Sequence, residues 1–210
     1  KSMPYRASVG YTNQNGIIKT SNFERFTGAF SINPSFFEDH LKLNINAKGM
    51  IVNNRFADQG VIGAAASMDP TKPVMSNEEP YKTTFGGYWQ WITSGTTFNS
   101  LAVQNPLATL NLKEDKANAY NLIGNFEADY KLHFLPDMRA HLNLGIDRSY
   151  GKQDLYIPLT SPSDNQMGRT GFSDQLKSNQ ILTFFVDYAK EIGQHNVNAM
   201  AGYEWQHYYR

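Results

Sequence analysis

Residues 119–147, AYNLIGNFEADYKLHFLPDMRAHLNLGID, sort their side chains with a period of two, and no other feature of the chain restricts its folding as much. Tyr120, Leu122, Gly124, Phe126, Ala128, Tyr130 and Leu132 alternate with Asn121, Ile123, Asn125, Glu127, Asp129 and Lys131. After Pro136 the order resumes, with Ala140, Leu142, Leu144 and Ile146 set against Arg139, His141, Asn143, Gly145 and Asp147. Successive side chains of a strand point to opposite faces, so this period reads as two strands, each with one apolar and one polar face.

The same reading along the chain gives seven strands, at roughly 4–12, 22–33, 40–52, 117–132, 138–150, 177–190 and 196–207. The connections alternate as well. Short turns, NPSFFED (33–39), HFLPD (133–137) and EIGQH (191–195), follow the second, fourth and sixth strands. Longer stretches, NQNGIIKTS (13–21), about 53–116 and about 151–176, join the rest. In an up-and-down antiparallel meander every second connection lies at the same end, so the short ones gather at one rim and the long ones at the other. That asymmetry is the pattern of an outer-membrane barrel, with tight periplasmic turns and long extracellular loops.

A soluble sandwich also alternates apolar and polar faces. Two features favour lipid. Tyr120 and Tyr130 lie ten residues apart on the apolar face, about 33 Å along a strand and about 25 Å vertically once tilted, which is the height of a barrel's apolar band. The strands also exceed the five or six residues usual in soluble sheets. The mean hydropathy of -0.51 does not oppose a barrel, because its strands average apolar with polar. No apolar run approaches the roughly 18 residues that a spanning helix needs. Since single-chain barrels have eight or more strands, seven form an arc of a larger one. The fold expected is therefore all-β: an antiparallel up-and-down meander of about seven strands from a large transmembrane β-barrel. The chain also opens at Lys1 without an initiator Met or a secretory leader, which suggests a piece of a longer protein.

The loop at 53–116 has content of its own. ADQGVIGAAASMDP reads as a short helix opened near Asp58 and stopped before Pro70, followed by the Pro-rich run DPTKPVMSNEEP. FGGYWQWITSG then concentrates Tyr88, Trp89 and Trp91. Flat aromatic faces pack against sugar rings, which makes these three the candidate ligand contacts, although large loops also use aromatics to hold themselves together.

Charge and chemistry exclude several function classes. Lys plus Arg and Asp plus Glu balance at 19 each, without the basic excess that nucleic acid requires. There are no cysteines, so disulfides and thiolate metal sites are excluded. Glu127 and Asp129 share a face about 7 Å apart, as a hydrolytic pair could, but a wet lumen wall explains that polar row without catalysis. His40, His133, His141, His195 and His207 show no paired metal-ligand spacing. Phosphate-cradling, zinc-protease and nucleophile-elbow motifs are absent, so enzyme is the weaker class and neither metal nor cofactor is expected.

YRASVGYTNQNGIIKTSNFERFTG, NPSFFEDHLKLNINAKG, GAAASMDPTKPV and NPLATL followed by IGNFEADYKLHFLP resemble the barrel of the SusC-like (SusC/RagA) TonB-dependent outer-membrane transporters, over most of the chain and in order. The resemblance implies a barrel of 22 strands around a plug, a SusD-like surface lipoprotein as lid, the TonB complex as energy source, and oligosaccharides or peptides as cargo, in the outer membrane of Bacteroidetes-type bacteria. Residues 1–210 would be part of that barrel, with the plug and the closing strands outside it. The contrasting expectation is a soluble all-β carbohydrate-binding module whose apolar rows form an internal core.

Overall fold

In the computed structural model, which describes residues 3–164 and 167–210, the seven expected strands form one antiparallel meander. They are β1 (Tyr5–Asn15), β2 (Asn22–Ile32), β4 (Leu41–Arg55), β7 (Glu114–Lys131), β8 (Met138–Ile157), β9 (Arg169–Ile192) and β10 (His195–Tyr209), each paired with the next. A two-residue strand, β3 (Ser35–Phe36), folds back onto the start of β4. The connection from β4 to β7 carries α1 (Val61–Ser67), α2 (Tyr81–Thr84), a small hairpin of β5 (Ile92–Ser94) with β6 (Thr97–Phe98), and α3 (Pro106–Leu112).

Register shows that the alternation is coherent across strands. Directly opposed residues share a face, and one such row runs Tyr5, Ile32, Ile45, Phe126, Leu144, Leu182, Trp205. Leu122, Phe126 and Tyr130 therefore lie on the same face as Leu142, Leu144 and Ile146. The opposite face carries rows such as Asn44, Glu127, Asn143, Thr183, Glu204. Crowding differs between the two faces. On the polar side a Cβ at Gly10, Gly145 or Gly202 would come within 3.0 Å of a side chain on the neighbouring strand; on the apolar side one at Gly124 would sit 3.2 Å from Ile146, while at Gly28 and Gly49 it would meet nothing within 4 Å. In a barrel of the kind expected from the sequence, the polar face is the inner one.

The short turns are staggered. Leu41, where β4 begins, is level in register with Tyr130, Ala140 and Val186, yet β9 runs on to Ile192, six residues past Val186. That is roughly 20 Å along the strand over three inter-strand steps of about 4.8 Å. A displacement of this size and constant sense is what strongly inclined strands produce when their turns end at one level. The tightest turn consists of Gly193 and Gln194 between the paired Ile192 and His195. Gly193 has φ of 64°, the positive value that a two-residue hairpin turn opening on glycine uses.

One boundary differs from the sequence reading. The stretch at 151–176 is largely strand rather than loop, because β8 continues to Ile157 and β9 starts at Arg169. The paired extension mixes polar and apolar residues on both sides, with Lys152 opposite Asp174, Gln153 opposite Ser173 and Asp154 opposite Phe172, so no period of two reveals it. Among the described residues of this stretch, 158–164, 167 and 168 leave the ladder.

The buried core of the described residues lies in the long-loop assembly rather than under the sheet. Phe85, Gln90, Asn105, Ser161 and Pro162 are its largest fully enclosed side chains, and Val61, Phe98, Ala108, Leu110 and Ile157 are also buried.

Candidate functional site

The polar face supplies a hydrogen-bonded wall. Glu127 accepts from the side-chain amides of Asn125 at 2.7 Å and Asn44 at 3.2 Å, and Asn46 donates to Asn44 at 2.8 Å. One turn-ward row further, Asp129 is paired with Arg139 at 2.9 Å, with His141 Nδ1 at 3.7 Å. Each carboxylate is occupied by its neighbours across the strands, as a static lining is and as a free acid/base pair is not. Nearer β1, Arg6, Arg25, Lys48, Ser31 and Asn125 line a hollow of about 620 Å³ on the same face.

At the long-loop rim the chain builds an ordered cap. Asn105 is its centre: Pro106 opens α3, the Asn105 side-chain oxygen accepts from the amides of Leu107 at 3.0 Å and Ala108 at 3.2 Å, and its amide group donates to the carbonyls of Val74 at 2.8 Å and Trp89 at 3.0 Å. Asn as N-cap with Pro at the first helical position is a favoured helix start. The residues NP at 105–106 carry that signal, although the sequence reading found only the helix at α1. Lys113, at the end of α3, closes the loop's base through Asp58 at 2.8 Å. That hydrogen bond holds the Asp58 carboxyl below its ordinary value. The chain leaving β8 packs against the same cap, with Ser163 Oγ donating to Thr109 Oγ1 at 3.4 Å.

The three candidate ligand contacts come together here, all half-buried. The Tyr88 hydroxyl accepts from Asn111 at 2.9 Å. Trp89 and Trp91 meet edge to face with centroids 4.8 Å apart, and Tyr81 stacks on Trp89 at 6.0 Å. The Lys72 ammonium lies 5.8 Å from the Trp89 ring and 5.5 Å from the Trp91 ring, within cation–π range. Sequence spacing could not have found Lys72 or Tyr81, since the loop's path brings them in.

The chain is similar to known proteins along its whole length. It is 49% identical to the TonB-dependent receptor SusC of Bacteroides thetaiotaomicron over 220 aligned positions, covering 100% of this chain and 22% of that one. A TonB-dependent receptor of Formosa agariphila is 26% identical, covering 98% of this chain and 20% of the relative. The chain thus spans about a fifth of the length of the curated relatives it matches. No family model matches. Among solved structures, the RagAB peptide importer superposes in its 'closed-closed' state with a TM-score of 0.68 at 19% identity, covering 99% of this chain and 23% of that one. Its 'open-open' state gives 0.67 at 18% identity, covering 98% and 22%. These superpositions show the fold: an antiparallel arc of that barrel type.

Proposed function

This chain is a barrel segment of the SusC/RagA-like TonB-dependent receptors, and from that premise we propose that it forms part of the wall and outer mouth of a nutrient importer in the outer membrane of a Bacteroidetes-type Gram-negative cell. Its cargo is an oligosaccharide or peptide, captured with a SusD-like surface lipoprotein and driven inward by the TonB complex. The match to SusC along all of this chain, and 22% of SusC, supports the family, and the two-faced, staggered sheet supports the location. Among the described residues no second sheet covers the apolar face: Val9 is 91% exposed, and Phe26, Leu122 and Phe184 are exposed too. A soluble carbohydrate-binding module would cover such a face, whereas a barrel gives it to lipid.

Within this reading Glu127 and Asp129 belong to the wet inner wall, and chemistry on the cargo is not part of the role. In this reading Tyr88, Trp89 and Trp91, all in the loop cap, are the residues that meet arriving cargo or lid. Tyr88 is engaged by Asn111, so Trp89 and Trp91 are the stronger contacts for a sugar ring or an apolar peptide side chain. The test is import by cells carrying the full-length receptor, with and without the loop at 56–113. Cells with the intact receptor take up one fluorescent oligomer, those without the loop lose it, and the receptor copurifies with a lipoprotein. A full-length protein that stays soluble without detergent would overturn the proposal.

A further inference from the structure

The apolar face bears a hollow that transport does not use. Gly28 and Gly49 are register partners, and with no side chains there the face is recessed into a groove of about 1050 Å³. The groove runs from Val9 and Phe26 past Tyr120 and Leu122 to Arg148 beside Tyr150, and Asp174, Leu176 and Tyr209 complete its lining, so one carboxylate shares the groove with the guanidinium. Arg148 is the single Lys or Arg on this face between the row of Leu41 and the row of Ile51, among the described residues. Its neighbours across the strands are Leu122 and Ser178, and it has no ion-pair partner among the described residues.

Height along the strands assigns the two ends of the groove to different depths. Arg148 stands ten residues beyond Met138, where β8 leaves its short turn, as Ile51 stands ten beyond Leu41 and Trp205 ten beyond His195. Ten residues of inclined strand rise about 25 Å, the height of a barrel's apolar band, so this line marks the outer boundary of the bilayer. Gly49, eight residues beyond Leu41, lies below the line at acyl-chain depth. Towards the outer end of β9 and β10 the same face turns more polar, with Gln180 opposite His207 and Ser178 two residues further along β9.

We infer that this groove is a binding site for a phosphorylated, acylated lipid of the outer leaflet, with an acyl chain seated over Gly28 and Gly49 and the headgroup phosphate held by Arg148. An unpaired cation facing lipid is expensive, and a guanidinium at headgroup level is matched by a phosphate, which it can grip through two N–H donors at once. Ser178 adds a hydroxyl beside the same position. The inference rests on the reading of the apolar face as lipid-facing.

The experiment uses the full-length receptor, extracted from the outer membrane, delipidated, and titrated with hexa-acyl diphosphorylated lipid A or its phosphate-free form under native mass spectrometry. The wild type should favour the phosphorylated lipid on the order of tenfold. Arg148→Gln should lose the preference while still accepting acyl chains, and Gly49→Leu should weaken both lipids by filling the groove. Equal binding of the two lipids by the wild type, or an undiminished preference in Arg148→Gln, overturns the site. If Gly49→Leu does not assemble, the Arg148→Gln comparison decides alone. A receptor absent from the outer-membrane fraction would instead remove the lipid-facing reading itself.

Discussion

The backbone amide of Asn105 donates to the side-chain oxygen of Gln90 at 3.0 Å, with both residues closed off from solvent. Two distant parts of the long loop are therefore joined by polar groups in its interior rather than by apolar packing alone. Asn105→Ala removes the helix cap and leaves the carbonyls of Val74 and Trp89 without their donor. A loss of about 2–4 kcal/mol in loop stability is expected. Hydrogen exchange should show faster exchange across α1, α3 and residues 85–92, with the seven long strands unchanged.

Phe126 stands five residues from Lys131, where β7 ends, and six from Tyr120, which is mid-height on the lipid side. Phe126→Arg should destabilise the receptor by about 2–4 kcal/mol in bilayers, as cations at the midplane of a barrel's outer face do. The neighbouring change Asn125→Arg, on the inner face, should cost well under half as much. Urea unfolding in lipid vesicles reads both, and equal costs would reverse the assignment of faces.

Gly145 is paired with Ile181, and a Cβ there would sit 2.5 Å from the Ile181 Cγ2. The branched side chain has no free end to swing away, so Gly145→Ala should cost about 1–3 kcal/mol by overpacking. Adding Ile181→Ala should restore most of that loss. A double-mutant cycle without coupling would show that the two positions are not in contact in the assembled barrel.

The Asp58 carboxyl is depressed from its ordinary 3.8, chiefly by the hydrogen bond from Lys113. A carboxyl whose folded value lies below its unfolded one stabilises fully above the unfolded value, and the contribution fades as pH falls through the folded one. Closure of the loop base should therefore hold steady from about pH 7 to about pH 5 and weaken below 3.8. Lys113→Gln should abolish the acid dependence of α1 exchange, and a transition that persists in this variant would place its origin elsewhere.

The strands and short turns are legible in the sequence wherever the two faces meet different solvents. Leu122, Phe126 and Leu144 declare themselves because lipid and water lie on opposite sides of them. The upper parts of β8 and β9 were hidden for the converse reason: around Lys152, Gln153 and Asp174 both faces are wet, so pairing leaves no alternating trace. The aromatic cluster was visible as composition. Its geometry was not, because Lys72 and Tyr81 reach Trp89 only through the fold of a long irregular segment. Arg148 sits in register between Leu122 and Ser178, and the strand offsets that set its height emerge only from the pairing.

β8 and β9 cross the apolar band and continue without a break, as strands of 20 and 24 residues. Their upper halves stand clear of the bilayer by roughly 20 Å, and their connection leans on α3 through Ser163 and Thr109. The hairpin is thus a stiff mast rooted in the wall. Any load applied to the loop cap would act at the tip of that mast, as a torque about its foot rather than as tension in a slack tether.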